Sequence, residues 1–125
     1  SKVASGGELS RLILALRLAA GAGEVAVIAF DEIDAGLGGS TALAMGKKLK
    51  DLARERQVFC VTHLPQVAAF ADAHFVVRRD GNSASVEQLG GDERLEELSR
   101  MLAGLPDSEP GRAHAEELLK IAGAD

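Results

Sequence analysis

The stretch Val25–Gly39, VAVIAFDEIDAGLGG, constrains this chain more than any other. An unbroken apolar run, Val25 to Phe30, stops abruptly at Asp31 and Glu32. A short apolar run closed by turn signals suits a strand buried on both faces of a parallel sheet. Ligands of open α/β sheets sit beyond the carboxyl ends of the strands, so the two adjacent carboxylates are expected to face a ligand crevice. Phosphoryl transfer needs that pair: an aspartate to help hold Mg²⁺ and a glutamate to polarise an attacking water. The plainer alternative is a strand that exits into an acidic turn.

Upstream, Ser5-Gly6-Gly7-Glu8 opens a helical run to about Ala20, with Leu9, Leu12, Ile13 and Leu16 on one face. Ser5 and Glu8 fit a capping box. Capping does not explain Gly6 and Gly7, since each glycine costs a helix up to about 1 kcal/mol relative to alanine. Bare backbone at a helix N-terminus, with free N–H groups and the positive dipole end, favours an anion, most often phosphate.

Downstream, Gly36, Gly38 and Gly39 mark a loop. Ser40 or Thr41 is predicted to cap a helix to about Arg56, with Leu43, Leu49 and Leu52 inward. Gln57 to Thr62 reads as a second buried strand, with Cys60 as a small core residue. His63 follows it directly and shares the strand-end placement of Asp31 and Glu32. Pro65 leads into a short helix, Gln66 to Ala71. His74–Arg79 and Ala84–Leu89 read as a hairpin turning at Asp80–Ser83. Asp92 is expected to cap a helix to about Ala103, with Leu95, Leu98 and Leu102 on one side. Pro110 is expected to start a last helix with Leu118, Leu119 and Ile121 inward. His74 and His114 lack the strand-end placement and read as ordinary residues.

Composition narrows the function classes. Hydrophobic residues make up 46% but aromatics only 3%, so the core is aliphatic and alanine-rich. A net charge of −5 argues against a broad DNA-binding surface, because phosphate contacts need clustered Lys and Arg. Lys47, Lys48 and Lys50 read as a solvated helix face, and Arg78 and Arg79 as a strand end. No stretch reads as a membrane span or a signal peptide. The single cysteine excludes an internal disulfide and allows a reducing cytosol. A phosphate-cradling Gly-x-x-x-x-Gly-Lys-[Ser/Thr] loop is missing. The nearest approach, Gly46-Lys47-Lys48, has Thr41 in place of the first glycine and Lys48 in place of the hydroxyl residue. The chain reads as half of a site whose P-loop comes from another segment or chain.

At this point the motifs resemble those of ABC-type ATPase heads. Ser5-Gly6-Gly7-Glu8 is similar to the signature motif, Phe30-Asp31-Glu32 to Walker B, Asp34-Ala35-Gly36 to the D-loop, and His63 to the switch histidine. Glu8 in the signature, and the runs VTHLPQVAAFAD, RMLAG and HAEELL, resemble the SMC-like DNA-repair ATPases more than transporter motors. The resemblance implies a partial ABC-type head of α/β class, with mainly parallel strands flanked by helices and a C-terminal β-hairpin and helices. Residues 1–125 would form its C-terminal lobe, without the Walker A lobe or the coiled coil.

The implied cofactors are ATP and Mg²⁺. Asp31 would be the metal residue, Glu32 the water-orienting base and His63 the γ-phosphate sensor. Ser5, Gly6, Gly7 and Glu8 would cap ATP held by an opposing head, and Asp34 would bridge that interface. The implied partners are the Walker A half of the same protein and a second head in a homodimer. DNA would be engaged through the whole protein, with no membrane involved, in a cytoplasmic, nucleoid-associated setting. The complete head would hydrolyse ATP in double-strand-break repair, and the isolated chain would be inactive. An ABC transporter motor fragment, or a non-catalytic module whose acidic strand ends hold a metal or a partner, are the alternatives.

Overall fold

The computed structural model describes residues 27–33 and 35–123. The expectations for Ser5, Gly6, Gly7 and Glu8, for the helix after them and for Asp34 lie outside the described residues. The described elements run β1 (Val27–Asp31), α1 (Gly39–Leu52), β2 (Gln57–Val61), α2 (Pro65–Ala68), β3 (His74–Asp80), β4 (Ser83–Leu89), α3 (Gly91–Ala103) and α4 (Glu109–Gly123). The chain is of α/β class and divides into two compact units, 1–70 and 71–125.

In the first unit β1 runs parallel to β2, from Val27 opposite Gln57 to Asp31 opposite Val61. Parallel neighbours cannot be joined by a tight turn and need a crossover, which α1 provides. Ile28 and Phe30 of β1 are buried and, with Val58 and Cys60 of β2, pack into a core completed by Ile33, Ala42, Leu49, Leu52 and Val67. Cys60 is therefore a core residue, as its position in an apolar strand suggested.

The expectation of strands buried on both faces is corrected. Val27, Phe59 and Val61 alternate with the core residues and stay 50%, 52% and 63% exposed. Apolar side chains occupy both faces of the pair, but among the described residues the core lies against one of them.

Helix α1 differs from expectation at both ends. Its N-cap is Gly38 in extended conformation, with no side-chain cap, and the Ala42 N–H donates to the Gly38 carbonyl at 2.8 Å. Ser40 and Thr41 sit inside the first turn instead. At the other end the helix stops at Leu52, and tighter turns follow, with the Arg54 N–H donating to Asp51 O and the Glu55 N–H to Leu52 O. Pro65 does occupy the start of α2. Gly46, in mid-helix, sets the spacing between α1 and the α2 segment. A Cβ there would lie 2.9 Å from Phe70 Cε2 and 3.0 Å from the Gln66 carbonyl oxygen. Gly46, the nearest approach to a phosphate-loop glycine in the sequence, is a packing residue inside a helix.

In the second unit β3 and β4 form the expected antiparallel hairpin, His74 opposite Leu89 and Asp80 opposite Ser83. Gly81 turns it with φ +56°, a backbone region glycine enters freely. Helix α3 is capped from Gly90, not Asp92: the Gly90 N–H donates to Glu93 Oε2 at 3.2 Å. It ends at Gly104, φ +74°, whose N–H donates to the Arg100 carbonyl at 2.7 Å. Ser108 opens α4, accepting the Gly111 N–H on its hydroxyl at 3.2 Å.

The buried face of α4 is Gly111, Ala115, Leu118 and Ala122. Ile121, expected inward, is 45% exposed. The small residues explain this, because α3 and α4 come close: a Cβ on Gly111 would meet the Ser99 hydroxyl at 2.8 Å and Ala103 Cβ at 2.9 Å.

A charged cluster links the start of β3 to α3. Arg100 Nε donates to Glu97 Oε2 at 2.8 Å, and this bond holds the buried Glu97 carboxyl below its ordinary range. The His74 imidazole is pushed down, first by burial and then by the charge of Arg94, against a smaller opposite pull from Glu97. Its Nδ1 is buried without a hydrogen-bond partner.

The signs of these two shifts agree. A lowered histidine leaves the folded state unprotonated where the unfolded chain takes up a proton, so stability falls as pH drops below about 6.5. A lowered carboxylate contributes stability above its unfolded value and loses it as pH falls through the folded one. The thermal midpoint is therefore expected to fall steadily from neutral pH into the acid range. His74→Gln should flatten only the upper part of that curve. A midpoint that rises on acidification would contradict the assignment.

Candidate active site

The parallel pairing of β1 and β2 brings their carboxyl ends side by side. Asp31 is the last residue of β1 and stands opposite Val61, the last of β2. One more rung follows: the Glu32 N–H donates to the Val61 carbonyl at 3.2 Å. His63 lies two residues beyond Val61, so Asp31, Glu32 and His63 leave the same edge of the same strand pair. All three are exposed. Asp31 projects from the face of β1 opposite Ile28 and Phe30, in step with the alternation along the strand.

Glu32 has φ +53° and is the non-glycine residue with positive φ among the described residues. This left-handed conformation costs an L-residue roughly 1–2 kcal/mol, and glutamate gains no special relief there. It reverses the chain out of the strand, and the Ala35 N–H closes the turn on the Glu32 carbonyl at 3.2 Å. Ile33 then plunges into the core at 0% exposure. The acidic pair is thus held between a strand ladder on one side and a buried anchor on the other. On the β2 side, the Leu64 N–H donates to Thr62 Oγ1 at 3.0 Å, and Leu64 packs against the core. His63 is the exposed residue between two fixed ones.

Sequence reading singled out Asp31, Glu32 and His63, which the structure brings to one strand edge, and passed over Ile33 and Thr62, which hold their backbone. The signal for Ile33 was a lone apolar residue between acids. For Thr62 it was a hydroxyl residue directly before a candidate functional histidine. Asp31 offers a hard oxygen donor, suited to Mg²⁺, which binds through one or two carboxylates plus waters and phosphate oxygens. Among the described residues no group of three or more His, Cys, Asp or Glu is placed to hold a metal ion. Among them, too, no helix is long and apolar enough to cross a membrane.

The chain shares its fold with a chain of an SMC ATPase. It superposes on a chain from a structural study of ATP-driven dimerisation and DNA-stimulated activation of SMC ATPases with a TM-score of 0.65, over 79% of this chain and 62% of that one, at 24% identity. Its sequence is similar along its whole length to part of DNA repair proteins named RecN. It is 55% identical to the DNA repair protein RecN of Streptomyces coelicolor over 100% of this chain. Against RecN of Deinococcus radiodurans it is 52% identical over 95% of its length, and against that of Bacillus subtilis 43% over 98%. The chain spans only 22–23% of the length of these relatives. No family model matches it.

Proposed function

We propose that this chain is the signature and Walker B lobe of a RecN-like DNA-repair ATPase, acting when ATP is sandwiched between two heads. The observation that supports this best is the common exit of Asp31, Glu32 and His63 from the carboxyl edge of one parallel strand pair. In this reading Asp31 holds Mg²⁺, directly or through water, and the ion when bound neutralises charge on the phosphate oxygens. Glu32 orients the attacking water and accepts its proton. His63 donates a hydrogen bond to the phosphoryl group being transferred. Ser5, Gly6, Gly7 and Glu8 cap the nucleotide of the opposing head, and Asp34 acts across the interface between the heads.

The Walker A half of the protein supplies the phosphate cradle, and DNA is engaged by the assembled protein in the cytoplasm. Dividing the donors between two heads makes turnover conditional on their meeting, because phosphoryl transfer depends on positioning and charge stabilisation.

The test compares the chain alone, the full-length protein and its Asp31→Ala variant in a phosphate-release assay. The chain alone is expected to be silent, the full-length protein active, and the variant without Mg²⁺-dependent turnover. Robust hydrolysis by the chain alone, or a variant as fast as the parent, refutes the proposal.

A further inference from the structure

We propose that Thr62 is a positioning residue for His63, a role that rests on the hydrolytic reading above. His63 sits in a loop of minimal length between β2 and α2. On its N-terminal side Thr62 continues from Val61, whose carbonyl accepts the Glu32 N–H at 3.2 Å. On its C-terminal side Leu64 packs against the core and starts α2, its carbonyl accepting the Val67 and Ala68 N–H groups at 3.1 Å each. Across this span the Leu64 N–H donates to Thr62 Oγ1 at 3.0 Å. That bond ties residue i to residue i+2 around His63, the side-chain version of a turn. With both neighbours fixed, the His63 backbone has little freedom left, and the imidazole alone reaches into solvent.

The bond also has a direction. Leu64 precedes the first turn of α2, where backbone N–H groups lack helical partners. The Thr62 hydroxyl satisfies one of them in a half-buried setting, where an unpaired donor is costly. Without it the Leu64 peptide is free to rotate toward water, and His63 moves with it. The same strand end carries Glu32 through the Val61 carbonyl. The hydroxyl therefore holds His63 in register with the acidic pair across the ladder.

The experiment uses the full-length protein. Thr62→Val keeps the branched shape and removes the acceptor. Its kcat for ATP is expected to fall about tenfold, since small misplacements of reacting groups cost on the order of that or more, with KM changed less than about twofold. Thr62→Ser restores the hydroxyl and is expected to restore kcat. The deciding arm is His63→Ala with and without Thr62→Val. Because Thr62 acts through His63, the second substitution should add no loss in that background. Losses that multiply, or a Thr62→Val protein at the wild-type rate while His63→Ala is slow, overturn the inference. A His63→Ala protein at the wild-type rate instead refutes the hydrolytic reading itself. If Thr62→Val does not fold, Thr62→Ala gives the same comparison without the added methyl.

Discussion

Glu32→Gln in the full-length protein is expected to lower ATP turnover by about 10²–10⁴-fold, the range a general base contributes, while ATP binding survives. The substitution keeps size and the hydrogen-bonding oxygen but removes the ability to take a proton. It leaves the backbone problem as it was, since glutamine is no happier than glutamate at φ +53°. Its thermal midpoint should therefore match the parent. Bound nucleotide that cannot be hydrolysed should also hold two heads together, visible as an ATP-dependent dimer in light scattering. Glu32→Gly provides the complement: it relieves the left-handed conformation, worth roughly 1–2 kcal/mol, and should melt higher while being equally inactive. Undiminished hydrolysis in Glu32→Gln would take Glu32 out of the mechanism.

Ile33→Ala is expected to destabilise the protein by about 2–5 kcal/mol, the range for truncating a fully buried aliphatic side chain. Ile33 is wholly enclosed, among Ile28, Phe30, Ala42, Leu49, Leu52 and Val67. That loss is a large share of the roughly 5–15 kcal/mol by which domains are stable. Ile33→Val should cost only about 0.5–1.5 kcal/mol. Urea denaturation of the two variants beside the parent checks the ranking. A near-neutral Ile33→Ala would mean that the acidic loop is not anchored through this residue. The result matters beyond stability, because Ile33 fixes the chain on the far side of Glu32.

The fold was legible where periodicity and turn chemistry agreed. The hairpin was readable because Asp80-Gly81-Asn82-Ser83 separates two apolar-rich runs, and the order of strands and helices followed from breaks at glycine and proline. The misplaced helix starts have a common cause. Gly38 and Gly90 cap their helices through backbone carbonyls, with a helper carboxylate from Glu93 in the second case, whereas hydroxyl and carboxyl residues nearby looked like better caps. Ile121 was misplaced because a close helix crossing prefers Gly111, Ala115 and Ala122, and hydrophobicity alone ranks isoleucine above them. At the site, residue types named Asp31, Glu32 and His63. The Thr62 hydroxyl bond is local, spanning two residues, and was passed over although hydroxyl turns are a known pattern, whereas the positive φ of Glu32 falls on a residue type that does not announce it.

The uncovered strip of Val27, Phe59 and Val61 has a practical outcome for anyone producing this segment by itself. Side chains of that kind, aligned on adjacent strands and wetted on one side, invite self-association. Such a preparation should show concentration-dependent light scattering, and Phe59→Thr together with Val61→Thr should suppress it while sparing the buried side of the strands.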